Sequence, residues 1–168
     1  MNYGVYASMW EVQFVPSDGL GRVNTGNAIL SHWPLSEAER IQLSLRGDQD
    51  ALTRAFYVRR NVLRAKVNYP GSPFWAVDIH ASAFSNDDTK QKQYLEFKAV
   101  LDELDAQGEH FVAGGDLNEL PPGAAKNNYC DNDRCPGESA EDEEGCDFSN
   151  ETAWIRPLVE SKKRAATA

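Results

Sequence analysis

Residues 74–118, FWAVDIHASAFSNDDTKQKQYLEFKAVLDELDAQGEHFVAGGDLN, decide the fold. Phe74 to His80, FWAVDIH, reads as a strand. Asp88 with Gln91 three residues on makes a capping-box pattern that opens a helix. Tyr94, Phe97, Leu101 and Leu104 then repeat at three and four as one apolar stripe, with Lys90, Lys92, Lys98, Asp102 and Asp105 expected to face out. Gly108 supplies the stop. His110 to Gly115, HFVAGG, is a short apolar run and reads as a buried strand with a tight exit. Strand, helix and strand in that order form a βαβ unit, whose strands run parallel. His80 then lies at the carboxyl end of the first strand, and Asp116 and Asn118 just beyond that of the second. Parallel strands bring these ends to one edge of the sheet, where α/β proteins build their sites.

Upstream, GNAILSHW at 26–33 reads as a strand closed by Pro34. The polar stretch 36–53, with Gly47, reads as a loop. Residues 56–67 alternate, with Tyr57, Leu63, Ala65 and Val67 on one face and Arg60, Arg64 and Lys66 on the other. Tyr69 to Pro73 is a turn that joins this strand to FWAVDIH as an antiparallel neighbour.

Three polar residues at one sheet edge suggest chemistry. A carboxylate there can hold a hard cation such as Mg²⁺ or orient a water. An amide can donate to a phosphoryl oxygen that gains charge. An imidazole that titrates near neutrality can take or give a proton. Together they suit metal-assisted hydrolysis of a phosphate ester. Gly-Gly-Asp-x-Asn is also a turn sequence in its own right, and a histidine at a strand end can be a plain packing residue.

Three ordered motifs, GNAILSHWPL at 26–35, VDIHASAF at 77–84 and VAGGDLNELPP at 112–122, resemble the endonuclease/exonuclease/phosphatase superfamily, and in order and spacing its deoxyribonuclease I branch. The resemblance covers about residues 23–122. It implies an α/β (α+β) fold, part of a four-layered sandwich of two mixed sheets with helices outside. It further implies divalent-metal-dependent cleavage of phosphodiesters or phosphomonoesters, with Mg²⁺ or Mn²⁺ as the ion. By motif, His80 would act as general acid or bear on the scissile phosphate. Asp116 would orient the water or bind metal, Asn118 would hold the phosphate or metal and help fix Asp116, and Asn27 would support the site from a central strand. Leu117 stands where Phe is common, and His32 where Arg or Lys is frequent. The family's opening Gln-Glu motif and closing Asp-His motif have no counterpart here. The expectation is therefore a single, shortened domain over 1–168, resembling the middle of a family member. The substrate could be nucleic acid, a phospholipid headgroup or a small phosphate ester. The alternative is a catalytically incomplete fragment that binds a cation or a partner. Missing outer strands would expose sheet edges, so self-association is expected.

Composition sets the remaining bounds. The 168 residues suffice for one ordinary domain, and 41% apolar with 26% charged residues is ordinary globular usage. The formal charge of −9 argues against nucleic-acid binding by bulk charge alone. Residues 131–147 hold eight acids against Arg134, which leaves 16 bases and 18 acids on the rest of the chain. This acidic stretch falls within a loop at 123–150 that also carries Cys130, Cys135 and Cys146. With no histidine near the cysteines, the readings are one loop disulfide or three thiols rather than zinc. Asp131-Asn132-Asp133 could open a calcium loop, yet Pro136 occupies the position where an EF-hand needs glycine. A solvated acidic loop is the main reading and a non-EF-hand Ca²⁺ site the alternative. Arg59, Arg60, Arg64 and Lys66 could steer a phosphate backbone, or simply form a solvated strand face. Trp10, Trp33, Trp75 and Trp154 read as packing residues. No apolar run approaches the roughly 18 residues of a membrane-crossing helix. The opening residues show no signal peptide, and the sequence sets no compartment.

Overall fold

A computed structural model describes residues 1–12, 22–83 and 87–120. The chain forms two compact units, Met1–Leu117 and Asn118–Ala168. All elements named below belong to the first, and Asn118–Leu120 are the described residues of the second. The acidic loop, its three cysteines, the Asp131–Asp133 calcium reading and Trp154 lie outside the described residues.

Strands β1 (Tyr3–Val12) and β2 (Val23–Ser31) pair antiparallel as one sheet. The second sheet has the order β3 (Leu35–Gln42), β4 (Asn61–Val67), β5 (Phe74–His80), β6 (Phe111–Asp116). In it β3–β4 and β4–β5 are antiparallel and β5–β6 parallel, so this sheet is mixed. Helix α1 (Ala51–Phe56) precedes β4, and α2 (Thr89–Ala106) connects β5 to β6. The fold is α+β, two sheets with helices outside.

Alternation sets the two layers. Opposite residues of an antiparallel pair share a face, so Leu63 and Ala65 of β4 share one with Ala76 of β5. They pack on Ala7 and Ile29 of the small sheet, with Val5 and Leu35 alongside. Fully burying an aliphatic side chain contributes about 1.5–3 kcal/mol, so this cluster joins the sheets. Asn61 and Asn27, both buried, add a polar bridge. Asn27 Nδ2 donates to the Asn61 carbonyl at 3.0 Å, and Asn61 Nδ2 to the Ser8 carbonyl at 3.1 Å.

The other face of the large sheet carries Val62, Arg64, Trp75, Val77 and Ile79. Arg64 reaches Glu103 of α2 at 3.3 Å, which puts the helix on this side. The helix buries Tyr94, Phe97, Val100, Leu101 and Leu104. Gly108, at φ 70°, ends it in the left-handed region.

Several elements depart from the sequence expectations. The 36–53 stretch is not a loop throughout. It holds β3 and the start of α1, capped by Asp50 Oδ1, which accepts from Leu52 and Thr53 N–H at 2.9 Å each. Among the described residues β3 is an edge strand with a mostly polar surface, paired antiparallel along β4 and joined to it also by the Glu39–Arg64 ion pair at 2.7 Å. Consequently β4 starts at Asn61 rather than 56, and β2 ends at Ser31 before His32 and Trp33. The capping box does not form. Asp87 accepts the Thr89 N–H at 3.1 Å, while Asp88 pairs with Lys92 at 2.7 Å. Lys90, expected outside, is buried at 7% exposure. β6 is the last strand of its sheet among the described residues and is largely exposed rather than buried, with Val112 at 67%. An apolar run identifies a strand, and its exposure depends on whether a neighbour covers it.

Candidate active site

The parallel pairing places His80 opposite Asp116, the last residues of β5 and β6. Ala81 N–H donates to the Asp116 carbonyl at 2.9 Å, which extends the ladder past both residues. Gly115 lets the strands come this close. Its φ of 131° suits glycine, and a Cβ there would stand 2.0 Å from the Ile79 carbonyl oxygen and 2.7 Å from Asp78 Oδ1. The Tyr94 hydroxyl of α2 donates to the Leu117 carbonyl and fixes the chain just after β6.

His80 Nε2 lies 3.6 Å from Asp116 Oδ2, with the imidazole 33% and the carboxylate 60% exposed. This is contact without a hydrogen bond between the two groups. Burial holds the His80 pKa below its ordinary 6.5, and the Arg60 cation pushes the same way while Asp116 opposes both. The neutral imidazole is therefore favoured.

Arg60 is the functional candidate the sequence left among general surface cations. It stands at the start of β4, mostly buried, and its charge acts on both His80 and Asp116. Burial lowers its pKa, opposed by Tyr57 and Asp116. Its Nε is buried with no hydrogen-bond partner among the described residues. The other bases of the expected cluster behave differently. Arg64 pairs with Glu39 and Glu103, Lys66 with Glu109 at 2.8 Å, and both lie over the Trp75 ring. These two are not a solvated face. Asp78, on β5 two residues before His80, accepts from the Ala28 and Ile79 backbone N–H groups, while burial raises its pKa.

A second layer positions these groups. Asn27 holds the Asn61 carbonyl, next to Arg60 in the chain. Gln93 of α2, buried at 1% exposure, accepts from Ser82 N–H at 2.9 Å and donates to the Ser44 carbonyl at 2.7 Å. It thereby pins the chain two residues past His80. Asn118 opens the second unit with a φ of 49°. His32 lies in the turn after β2 with its ring edge-on to Trp33 at 6.3 Å. The pairing of His80 with Asp116 follows from the βαβ pattern alone. The place of Arg60 does not, because the alternation groups it with Arg64 and Lys66, which pair with glutamates, and no local signal sets it apart from them.

Among the described residues no three His, Cys, Asp or Glu side chains converge as a metal cage. Asp116 is nevertheless an exposed carboxylate at a strand end. Mg²⁺ is commonly held by one or two carboxylates together with substrate phosphate oxygens and waters. The donor chemistry fits an ion shared with substrate.

Two packed sheets with an outer helix, and an imidazole and a carboxylate at the ends of parallel strands, define an α+β domain with a polar site on its sheet edge. The chain belongs to the endonuclease/exonuclease/phosphatase family, whose model matches residues 2–159. That span is longer on both sides than the motifs alone indicate, and takes in β1. The family is of phosphoesterase and nuclease type, and divalent-metal-dependent hydrolysis is general to it. No curated protein matches the sequence. Among solved structures, the human Nocturnin catalytic domain with bound sulfate anion is similar at 14% identity and a TM-score of 0.49, covering 71% of this chain and 44% of that one. Sphingomyelinase C from Streptomyces griseocarneus is similar at 19% identity and a TM-score of 0.47, covering 65% of this chain and 38% of that one. The chain thus spans less than half the length of either.

Proposed function

We propose that the chain hydrolyses phosphate esters by an activated water at the His80–Asp116 edge, with a divalent cation, Mg²⁺ or Mn²⁺, held by Asp116. The observation that carries this is the His80–Asp116 contact beside the Arg60 guanidinium. With the imidazole proton on Nδ1, His80 Nε2 is an acceptor 3.6 Å from the Asp116 carboxylate. A water that donates one hydrogen to each satisfies both, and His80 is then placed to take a proton as that water attacks. Arg60 offers a buried positive charge to the phosphoryl oxygens, where charge develops. Asn118 is assigned by its Gly-Asp-Leu-Asn motif to holding the phosphate or the ion. Asn27 supports the edge through Asn61. A bound cation would add stabilisation of charge on the phosphoryl oxygens.

The test is nicking of supercoiled plasmid by the purified chain in Mg²⁺ or Mn²⁺. The expected result is nicking that stops with chelator and falls by about 100-fold or more in Asp116→Ala. Metal-dependent nicking that survives Asp116→Ala would contradict this assignment.

A further inference from the structure

Residues 54–66 carry Arg54, Arg59, Arg60, Arg64 and Lys66 and no acid. Arg64 and Lys66 are neutralised by glutamates, and Arg60 acts on His80 and Asp116. Arg59 is exposed and has no acidic partner among the described residues. It lines a cavity of about 260 Å³ formed by β1, β3 and the chain between α1 and β4. Arg40 of β3 lines the same cavity, and its guanidinium donates to the Ser8 carbonyl and Gln42 Oε1, both uncharged. Glu11 is the acid among the lining residues, and Arg22 meets its charge at 3.1 Å. Among the described residues, two guanidinium charges in the wall thus have no acidic partner.

The rest of that wall is aromatic. Trp10, Phe56 and Tyr57 all line it, and the Trp10 indole is held by its bond to the Phe56 carbonyl at 2.8 Å. The cavity adjoins the catalytic edge through the chain itself, since Arg59, whose N–H donates to the Met9 carbonyl at 2.7 Å, is the immediate neighbour of Arg60. Flat rings beside arginines suit a ligand with both a π-face and a phosphate. The same arginines disfavour a quaternary ammonium headgroup, which aromatic rings alone would welcome. A polyphosphorylated sugar would leave the rings unused. We infer that this cavity is a nucleotide subsite, with the base against Trp10, Phe56 and Tyr57 and a phosphate on Arg40 and Arg59, so that the substrate of the adjoining edge is a nucleotide-containing phosphoester. The inference rests on the hydrolase reading for its link to catalysis, but nucleotide binding is measurable without it.

Isothermal titration calorimetry of the whole chain in chelator, with adenosine 5′-monophosphate, adenosine and inorganic phosphate, provides the test. Adenosine 5′-monophosphate is expected to bind at least tenfold more tightly than adenosine or phosphate. Arg59→Gln should weaken that binding by about tenfold with an unchanged thermal melt, because the Arg59 side chain holds no described part of the fold. Equal binding of the nucleotide and inorganic phosphate, or full affinity in folded Arg59→Gln, overturns the subsite. Failure of catalysis with nucleotide binding intact overturns the hydrolase reading alone, and metal-dependent diester hydrolysis without nucleotide binding overturns the subsite alone.

Discussion

At the scale of single residues, the site depends on the charge state of His80. Burial and Arg60 lower its pKa, and Asp116 raises it. A ring-proton titration by NMR in metal-free buffer should give a value below 6.5 for His80. Arg60→Gln should move it up and Asp116→Asn down, and a value above 6.5 in the unaltered chain would contradict the reading. The linkage sign follows. With the folded value below the unfolded one, the contribution of His80 to stability is complete above about pH 6.5 and is lost as pH falls through the folded value. His80 and Asp116 were legible in the sequence because two strand ends and a helix of suitable length fix their meeting. Arg60 was not, since the alternation of 56–67 groups it with Arg64 and Lys66, and only the tertiary fold brings its charge to bear on His80 and Asp116. Asp78 was also missed, because a carboxylate that alternates correctly with apolar residues gives no sign of its cross-sheet hydrogen bond.

At the scale of elements, β5, α2 and β6 were legible for a physical reason. Their apolar patterns are local, and Gly108 and the 69–73 turn mark their limits. β3 and α1 were not. LSEAERIQ has little apolar alternation and is held by the distant Arg64. Six residues are too few for helical periodicity to show in α1. Asp88 holds the N-cap position of α2, but its carboxylate pairs with Lys92, and Asp87 accepts the Thr89 N–H instead. The β5–β6 junction carries the site, and Gly115 is its tightest point. Gly115→Ala should cost about 1–3 kcal/mol from the backbone conformation alone, with the steric overlap on Ile79 added to that. A lowered urea midpoint together with weakened catalysis is the expected result. An unchanged midpoint would show that the close approach of the strands is not required.

At the scale of the whole molecule, β6 ends its sheet among the described residues with Val112 exposed. An open apolar edge favours pairing with another chain. Sizing chromatography should show elution that shifts toward larger species with concentration, and Val112→Lys should reduce that shift. A single monomeric peak at all concentrations would contradict this expectation. Membership of the endonuclease/exonuclease/phosphatase family defines the class of chemistry, whereas assignment of the reaction to this chain rests on the His80–Asp116 edge. The measurement that tests this most directly is hydrolysis of bis(p-nitrophenyl) phosphate, a diester without a base, by the whole chain in Mg²⁺ or Mn²⁺. We predict metal-dependent release of p-nitrophenol that falls by about 100-fold or more in both His80→Ala and Asp116→Ala. No release from the unaltered, folded chain in either metal, or full release from either variant, would contradict the account.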